Sequence, residues 1–377
     1  MRKSIYVLSF PLVIFLACFL VVSGNKTEGK ENYGISGAVV KGELIKILPQ
    51  KDNRREISST EPVLVSEFDL DRIDNPPFHP IESRFDENGR LYAFDIKQGL
   101  IHKFYWSPDW KKLNHSAFGK GLGQGPGEVT RLLDFKIFKN ELYLLDEGKG
   151  AIEVYSTDGN YIRSIRPDNG YVPKKFTVND NYMIIETLVP AQHLFYAYDL
   201  SGKFKFAFGE FIEKNSLENT VYQDNRLSEC FSGDSFLYLP RFFGFMALYE
   251  NNELVLIKET IDGLSAAKNN LPQEKSVAKG ISARVVQRSV ETVYQYSIYD
   301  RILLVRAYDY KKEMSNWDIY DLKSLDYLIT IKNRPRCNSF ALYKDKVAVL
   351  SETDTGFKLQ IYDIGNILKE VASKART

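Results

Sequence analysis

The chain has 377 residues, with 50 Lys+Arg against 49 Asp+Glu and a formal net charge of +1. That balance argues against a nucleic-acid binder, which needs a basic excess or stripe, and 44% hydrophobic with 13% aromatic residues excludes a mostly disordered chain. The 23 Tyr and 24 Phe far outnumber the 4 Met, a balance that favours strands over a helical bundle.

In chain order, the first segment reads as a targeting signal. Arg2 and Lys3 precede an almost unbroken apolar run over 5–22, followed by Ser23, Gly24 and the polar stretch NKTEGKEN. This is either a Sec signal peptide over 1–24, cleaved near Gly24, or a retained anchor. Cys18, in Phe15-Leu16-Ala17-Cys18, is a candidate lipidation site, although Phe15 and the apolar residues after Cys18 depart from the usual lipoprotein pattern. The body is therefore expected outside the cytoplasm, in the periplasm, as an outer-membrane lipoprotein or secreted, with membrane association through the lipid or anchor. Residues 25–60 read as a polar tether, and 61–377 as the folded body, expected to be monomeric.

From about residue 62 the chain changes to short apolar runs with a period of two, separated by turn residues. LYAFDIKQGLIHKFY (91–105) and LYLLDEGKGAIEVYS (142–156) share one plan: a strand ending in an acid, a Gly-bearing turn, and a second strand ending in an aromatic. Looser copies follow at YMIIETLVPAQHLFYAYDLSGK, FLYLPRFFGFMALYENNEL, ILLVRAYDYKKEMSNWDIYDLKSL and VAVLSETDTGFKLQIYDIGN. Their terminal aromatics are Phe104, Tyr155, Tyr198, Tyr249, Tyr320 and Tyr362. DFKIFKN before the second pair and NYIRSIR after it supply two further strands, with Asp158-Gly159 as a hairpin turn. Four strands in about 40 to 50 residues, repeated six times, predict an all-β, six-bladed β-propeller with four-stranded blades. The alternative is a two-sheet sandwich plus a second domain. Residues 263–280 read as an inserted loop. The last blade lacks an outer strand and PVLVSEFDL (62–70) lacks a partner, so this N-terminal strand is expected to pair there and close the ring. Residues 364–375 carry either a helix or a last strand.

Between the first two copies lies GKGLGQGPGE (119–128). It has no G-K-[ST] ending and no helix after it, so it reads as a connection between blades in which glycines supply positive φ. This stretch and the one after it resemble the NHL-like and TolB-like six-bladed propellers, especially the exported six-bladed propeller proteins of Bacteroidota. Gly123, Gly125, Pro126, Gly127 and Glu128 match one part of that pattern, and Asp146, Tyr155, Asp158 and Gly159 the other. The likeness is strongest over 91–209 and weakest over 224–300. It implies a propeller fold and export; most members of these families have no assigned activity.

If each acid ends the second strand of its blade, Asp95, Asp146, Glu186 and Glu352 gather at one mouth of the channel, with Arg241 and Arg306 in comparable places. Loops from every blade converge at such a mouth, which makes these six residues the candidate ligand site. Each acid taken alone reads first as a turn cap, bonding the backbone two residues on. Clustered carboxylates suit Ca²⁺, as in lactonase-type propellers; otherwise no cofactor is expected. The six-residue mouth predicts a binding or scaffold module for a glycan or a peptide or protein partner, with no nucleic acid. The alternative is a calcium-dependent hydrolase or lyase at the same mouth. No G-x-S-x-G elbow and no H-E-x-x-H motif is present, and no catalytic residue is assigned. WSPDW reads as a sugar-stacking platform or a packed outer hairpin, and RFFGFM as a partner patch or a core strand. Cys230 and Cys337 are expected as buried free thiols, a disulfide being the alternative.

Overall fold

The computed structural model describes residues 37–40, 43–52, 54–187, 193–209, 225–264, 273–278, 281–285, 290–309, 314–334 and 337–374; the expected signal segment, with Cys18, lies outside them. Glu141–Asp146 shows why the repeat folds as it does. Leu142 and Leu144 bury on one face and Tyr143 and Leu145 on the other, so the strand packs on both sides and is apolar throughout. Farther out, Tyr161–Ile165 alternates half-buried and exposed residues until Ile165.

Four antiparallel strands form each blade. Blade 1 runs Pro80–Phe85, Leu91–Asp95, Leu100–Trp106 and Leu113–Phe118; blade 2 runs Leu132–Phe138, Glu141–Asp146, Ala151–Ser156 and Tyr161–Ile165. Blade 3 comprises Pro173–Val178, Met183–Thr187, Phe195–Tyr198 and Phe204–Phe208. Blade 4 comprises Asn225–Leu227, Phe236–Pro240, Phe245–Glu250 and Glu253–Glu259. Blade 5 takes Val290–Tyr299, Ile302–Asp309, Met314–Asp321 and Tyr327–Arg334. Blade 6 takes Ser339–Tyr343, Lys346–Glu352 and Phe357–Asp363, and its fourth strand is Val63–Asp69, paired antiparallel with Phe357–Asp363. First strands touch from blade 5 through blades 6, 1, 2 and 3 to blade 4, and the first strand of blade 5 meets Phe236–Pro240, so the blades stand in a ring.

The six copies are equivalent in register. Phe104 lies opposite Leu91, Tyr155 opposite Leu142, Tyr198 opposite Met183, Tyr249 opposite Phe236, Tyr320 opposite Leu303 and Tyr362 opposite Val347. These aromatics fill the seams between blades; Phe195 of blade 3 meets Phe236, Tyr238 and Tyr249 of blade 4 at 5.4, 5.5 and 5.1 Å. Each such ring contributes roughly 1.5–3 kcal/mol by burial.

Several short segments resolve one way. Trp106 and Trp110 pack 5.0 Å apart against Phe85, so WSPDW is a packed hairpin. Phe242, Phe243, Phe245 and Met246 are buried, which makes RFFGFM core. Cys230 and Cys337 are free thiols, and burial pushes Cys230 up to about 11. Part of the 263–280 insert is strand: Gln273–Ala278 pairs with Ile281–Val285. The C-terminal stretch is a helix, α1 (Gly365–Lys374), because Ile364, Ile367 and Val371 recur on one face and pack beside Trp317 and Phe340.

The described part of the expected tether is held against the blades. Leu48 bridges Lys258 of blade 4 and Ile57 bridges Thr330 of blade 5. Between them Arg55 bonds Asp262 at 2.8 and 2.7 Å and Asp318 at 3.2 and 2.9 Å. A charge-rich stretch reads as solvated, yet here its guanidinium matches two carboxylates that belong to the ring.

The Gly-rich stretch is the connection from blade 1 to blade 2. It wraps the Glu128 carboxylate, which accepts from the Gly125 N–H at 2.6 Å; a Cβ at Gly123 would meet that carboxylate at 2.1 Å. Lys149 clamps it by donating to the carbonyls of Gly125 and Glu128 at 2.8 and 2.5 Å.

Candidate functional site

In five of the blades the first strand begins opposite the end of the second. Pro80 lies opposite Asp95, Leu132 opposite Asp146, Pro173 opposite Thr187, Asn225 opposite Pro240 and Val290 opposite Asp309. The six candidate residues sit along this edge, but not in equivalent positions. Counted from the residue opposite the terminal aromatic, Asp95 and Asp146 are four along, Glu186 and Arg306 three, Arg241 and Glu352 five.

Side chains alternate across a strand, so this offset decides which seam each residue enters. Leu91 and Ala93 pack on blade 6, and Leu142 and Leu144 pack on blade 1, so Asp95 and Asp146 face the preceding blade. Ile184 packs on blade 4 and Leu304 on blade 6, so Glu186 and Arg306 face the following one.

Asp95 and Asp146 are turn caps. Asp95 accepts from the backbone N–H groups of His79, Lys97 and Gln98 at 2.7, 2.8 and 3.0 Å, and from that of Phe78. Asp146 accepts N–H groups from Thr130, Arg131, Gly148 and Lys149 at 2.7, 3.0, 3.0 and 3.3 Å, and the Thr130 hydroxyl. Both are fully buried. Each ties the chain entering its blade to the turn between its second and third strands. Glu186 is buried near Tyr238, whose phenol is raised chiefly by burial and then by this carboxylate. Glu352 is exposed at the end of its strand, its N–H donating to the Asn338 side chain at 3.0 Å.

Arg241 and Arg306 come together on a residue outside the candidate six. The Tyr294 ring has the Arg241 guanidinium 4.8 Å from its centroid and that of Arg306 4.7 Å from it. Arg241 pairs with the buried Glu291 carboxylate at 2.7 Å. Arg306 donates through Nη1 to Gln295 Oε1 at 3.1 Å and to the Cys337 carbonyl at 2.7 Å. Tyr294 and Gln295 are half-buried, so the cluster reaches solvent through them. Glu291, Tyr294 and Gln295 all lie on the first strand of blade 5, in ETVYQYSIY. Their signal was a carboxylate and an amide inside an otherwise strand-like run.

Deeper along the first strands lies a buried ionic network. Arg84 pairs with Glu82 at 2.6 Å, with Glu229 and, at 3.6 Å, with Asp134; its Nε donates to the Phe135 carbonyl at 2.7 Å. Lys136 lies 3.3 Å from Asp134 and donates to Tyr296 at 3.1 Å. Burial, with Arg84 close by, brings the Lys136 ammonium down to about 7, and burial raises the Tyr296 phenol. These groups join blades 1, 2, 4 and 5 through ion pairs and hydrogen bonds to one another. Among the described residues, no three His, Cys, Asp or Glu side chains group as a metal site.

No protein-family model and no curated protein matches the chain. Among solved structures, a Bacteroides fragilis protein assigned as exported matches with 12% identity over 85% of this chain and 99% of its own, at a TM-score of 0.52. A DUF4221 family member from Bacteroides vulgatus matches at 10% identity over 83% and 98%, with a TM-score of 0.49. The extracellular domain of a one-component system from B. thetaiotaomicron matches at 12% identity over 81% and 43%, with a TM-score of 0.43. At such identities the likeness is one of fold, and the fold of this chain is a six-bladed β-propeller.

Proposed function

We propose that the protein is an exported binding module that takes a glycan, peptide or protein ligand at the blade edge around Arg241, Tyr294 and Arg306. Glu186 and Glu352 belong to the same rim, and Asp95 and Asp146 hold its loops. The observation that carries this reading is the meeting of two guanidinium groups on one half-buried tyrosine, where blade 4 passes to blade 5. Such a group concentrates charge and polarizable surface where connections from neighbouring blades converge. Export is supported by the N-terminal signal pattern and by the exported assignment of the B. fragilis protein that shares the fold.

The test is a thermal-shift screen of the mature exported protein against saccharides, peptides and Ca²⁺, with and without chelator. A saccharide or peptide should raise the melting temperature, indifferent to chelator, and the shift should shrink in Arg241→Gln. A shift that needs Ca²⁺ would turn the reading toward metal-dependent chemistry. Silence across all classes would overturn the mouth as a ligand site.

A further inference from the structure

Arg306 is fully buried, yet its Nε and Nη2 have no hydrogen-bond partner, and no carboxylate pairs with it among the described residues. Its two bonds both leave from Nη1, to Gln295 and Cys337. The contrast with Arg84, bonded or paired to Glu82, Glu229, Asp134 and Phe135, is plain. A buried charged donor left unpaired is costly, so the pattern marks a place that a ligand completes.

We propose that the Nε–Nη2 edge of Arg306 recognises a small organic carboxylate, a sugar acid being the form that a saccharide-binding mouth takes. The proposal rests on the mouth being the binding site. That edge presents two parallel N–H bonds at the spacing of a carboxylate. The same edge of Arg55 holds both oxygens of Asp318 in this molecule, at 3.2 and 2.9 Å. Tyr294 beneath the guanidinium and Gln295 on Nη1 fix its plane. Arg241 is already matched by Glu291 at 2.7 Å, which leaves Arg306 as an unmatched single charge. One unmatched positive charge suits a monoanion, whereas a divalent sulfate would bring surplus charge into a buried seam. The ligand is small because Arg306 has no exposed surface of its own, while Tyr294 and Gln295 in contact with it are half-buried.

Calorimetric titration of the mature protein with sodium D-glucuronate, D-glucose, sodium sulfate and an acidic peptide tests this. Glucuronate should bind at least tenfold more tightly than the other three. Arg306→Lys, which keeps the charge but loses the fork, should weaken glucuronate by at least about tenfold. On the unmodified protein, crystals soaked in glucuronate should show its two carboxylate oxygens on Nε and Nη2. Equal affinity for glucose, preference for sulfate or the peptide, an unweakened Arg306→Lys, or a carboxylate bound elsewhere would each overturn it. A ligand lost in Arg241→Gln but kept in Arg306→Lys would sink this proposal and leave the mouth standing. No binding by any of the four probes, together with silence in the thermal-shift screen, would remove both.

Discussion

At the scale of single residues, alternation along a strand separates side chains that sequence spacing places together. Asp95 and Asp146 look interchangeable with Glu186 when the copies are laid side by side. One position of offset sends the first two into the turns of their own blades and the third into the opposite seam. Asp146→Ala would take the acceptor from four N–H groups and a hydroxyl around a half-buried turn, and should cost about 1–3 kcal/mol in urea unfolding. Asp146→Asn, which keeps one acceptor oxygen, should recover part of that. A loss under about 0.5 kcal/mol for the alanine would mean that the cap adds little. Lys136 gives a pH signature. Folding holds this ammonium near 7 against an ordinary 10.5, so between those values the unfolded chain binds the extra proton. Stability therefore rises with pH from about 7 toward 10 and is flat in this group below 7. Chemical denaturation of wild type at several pH values should show that rise, and Lys136→Met should flatten it; an equal slope in both would refute the assignment.

At the scale of elements, the Gly-rich connection and the turn between the second and third strands of blade 2 hold glycines that are needed for different reasons. Gly127 has φ +81°, and a Cβ there would lie 2.8 Å from the Tyr161 ring and 2.9 Å from the Tyr155 hydroxyl. Gly150 has φ +58° and open space around it. Gly150→Ala should cost only the left-handed strain, about 1–2 kcal/mol, and Gly127→Ala clearly more, because two packed tyrosines must also move. Melting temperatures of the two variants decide it, and equal losses would show that the tyrosines yield freely. The connection was legible because five glycines in nine residues suit little besides a turn-rich loop. The packing of 45–52 and 54–61 along blades 4 and 5 was not, because nothing local pairs Arg55 with Asp262 and Asp318.

For the whole molecule, the consequence of the ring is that the last blade draws strands from both sides of the repeat. Phe357–Asp363 is flanked by Lys346–Glu352 and by Val63–Asp69, and Leu70 just beyond is fully buried. Deleting residues 61–70 would leave the outer edge of that blade unpaired and empty the Leu70 site beside Leu359. The shortened protein should fail to give a cooperative melt and should aggregate on size-exclusion chromatography; an unchanged melting curve would show this strand to be dispensable.

The sequence by itself determined the blade: period-two apolar runs, a turn at each end, and an aromatic that recurs at one register position in all six copies. Those features are local, since strand propensity, alternation and turn chemistry act within a few residues. It also marked the edge where candidate residues gather, because strand ends are visible as turns. Only the tertiary structure decided what those residues do. Arg241 and Arg306 lie 65 positions apart in the chain and meet on Tyr294, while two of the four acids vanish into backbone caps. That outcome depends on which seam a side chain enters and on what the next blade places there, and these are properties of the packed ring.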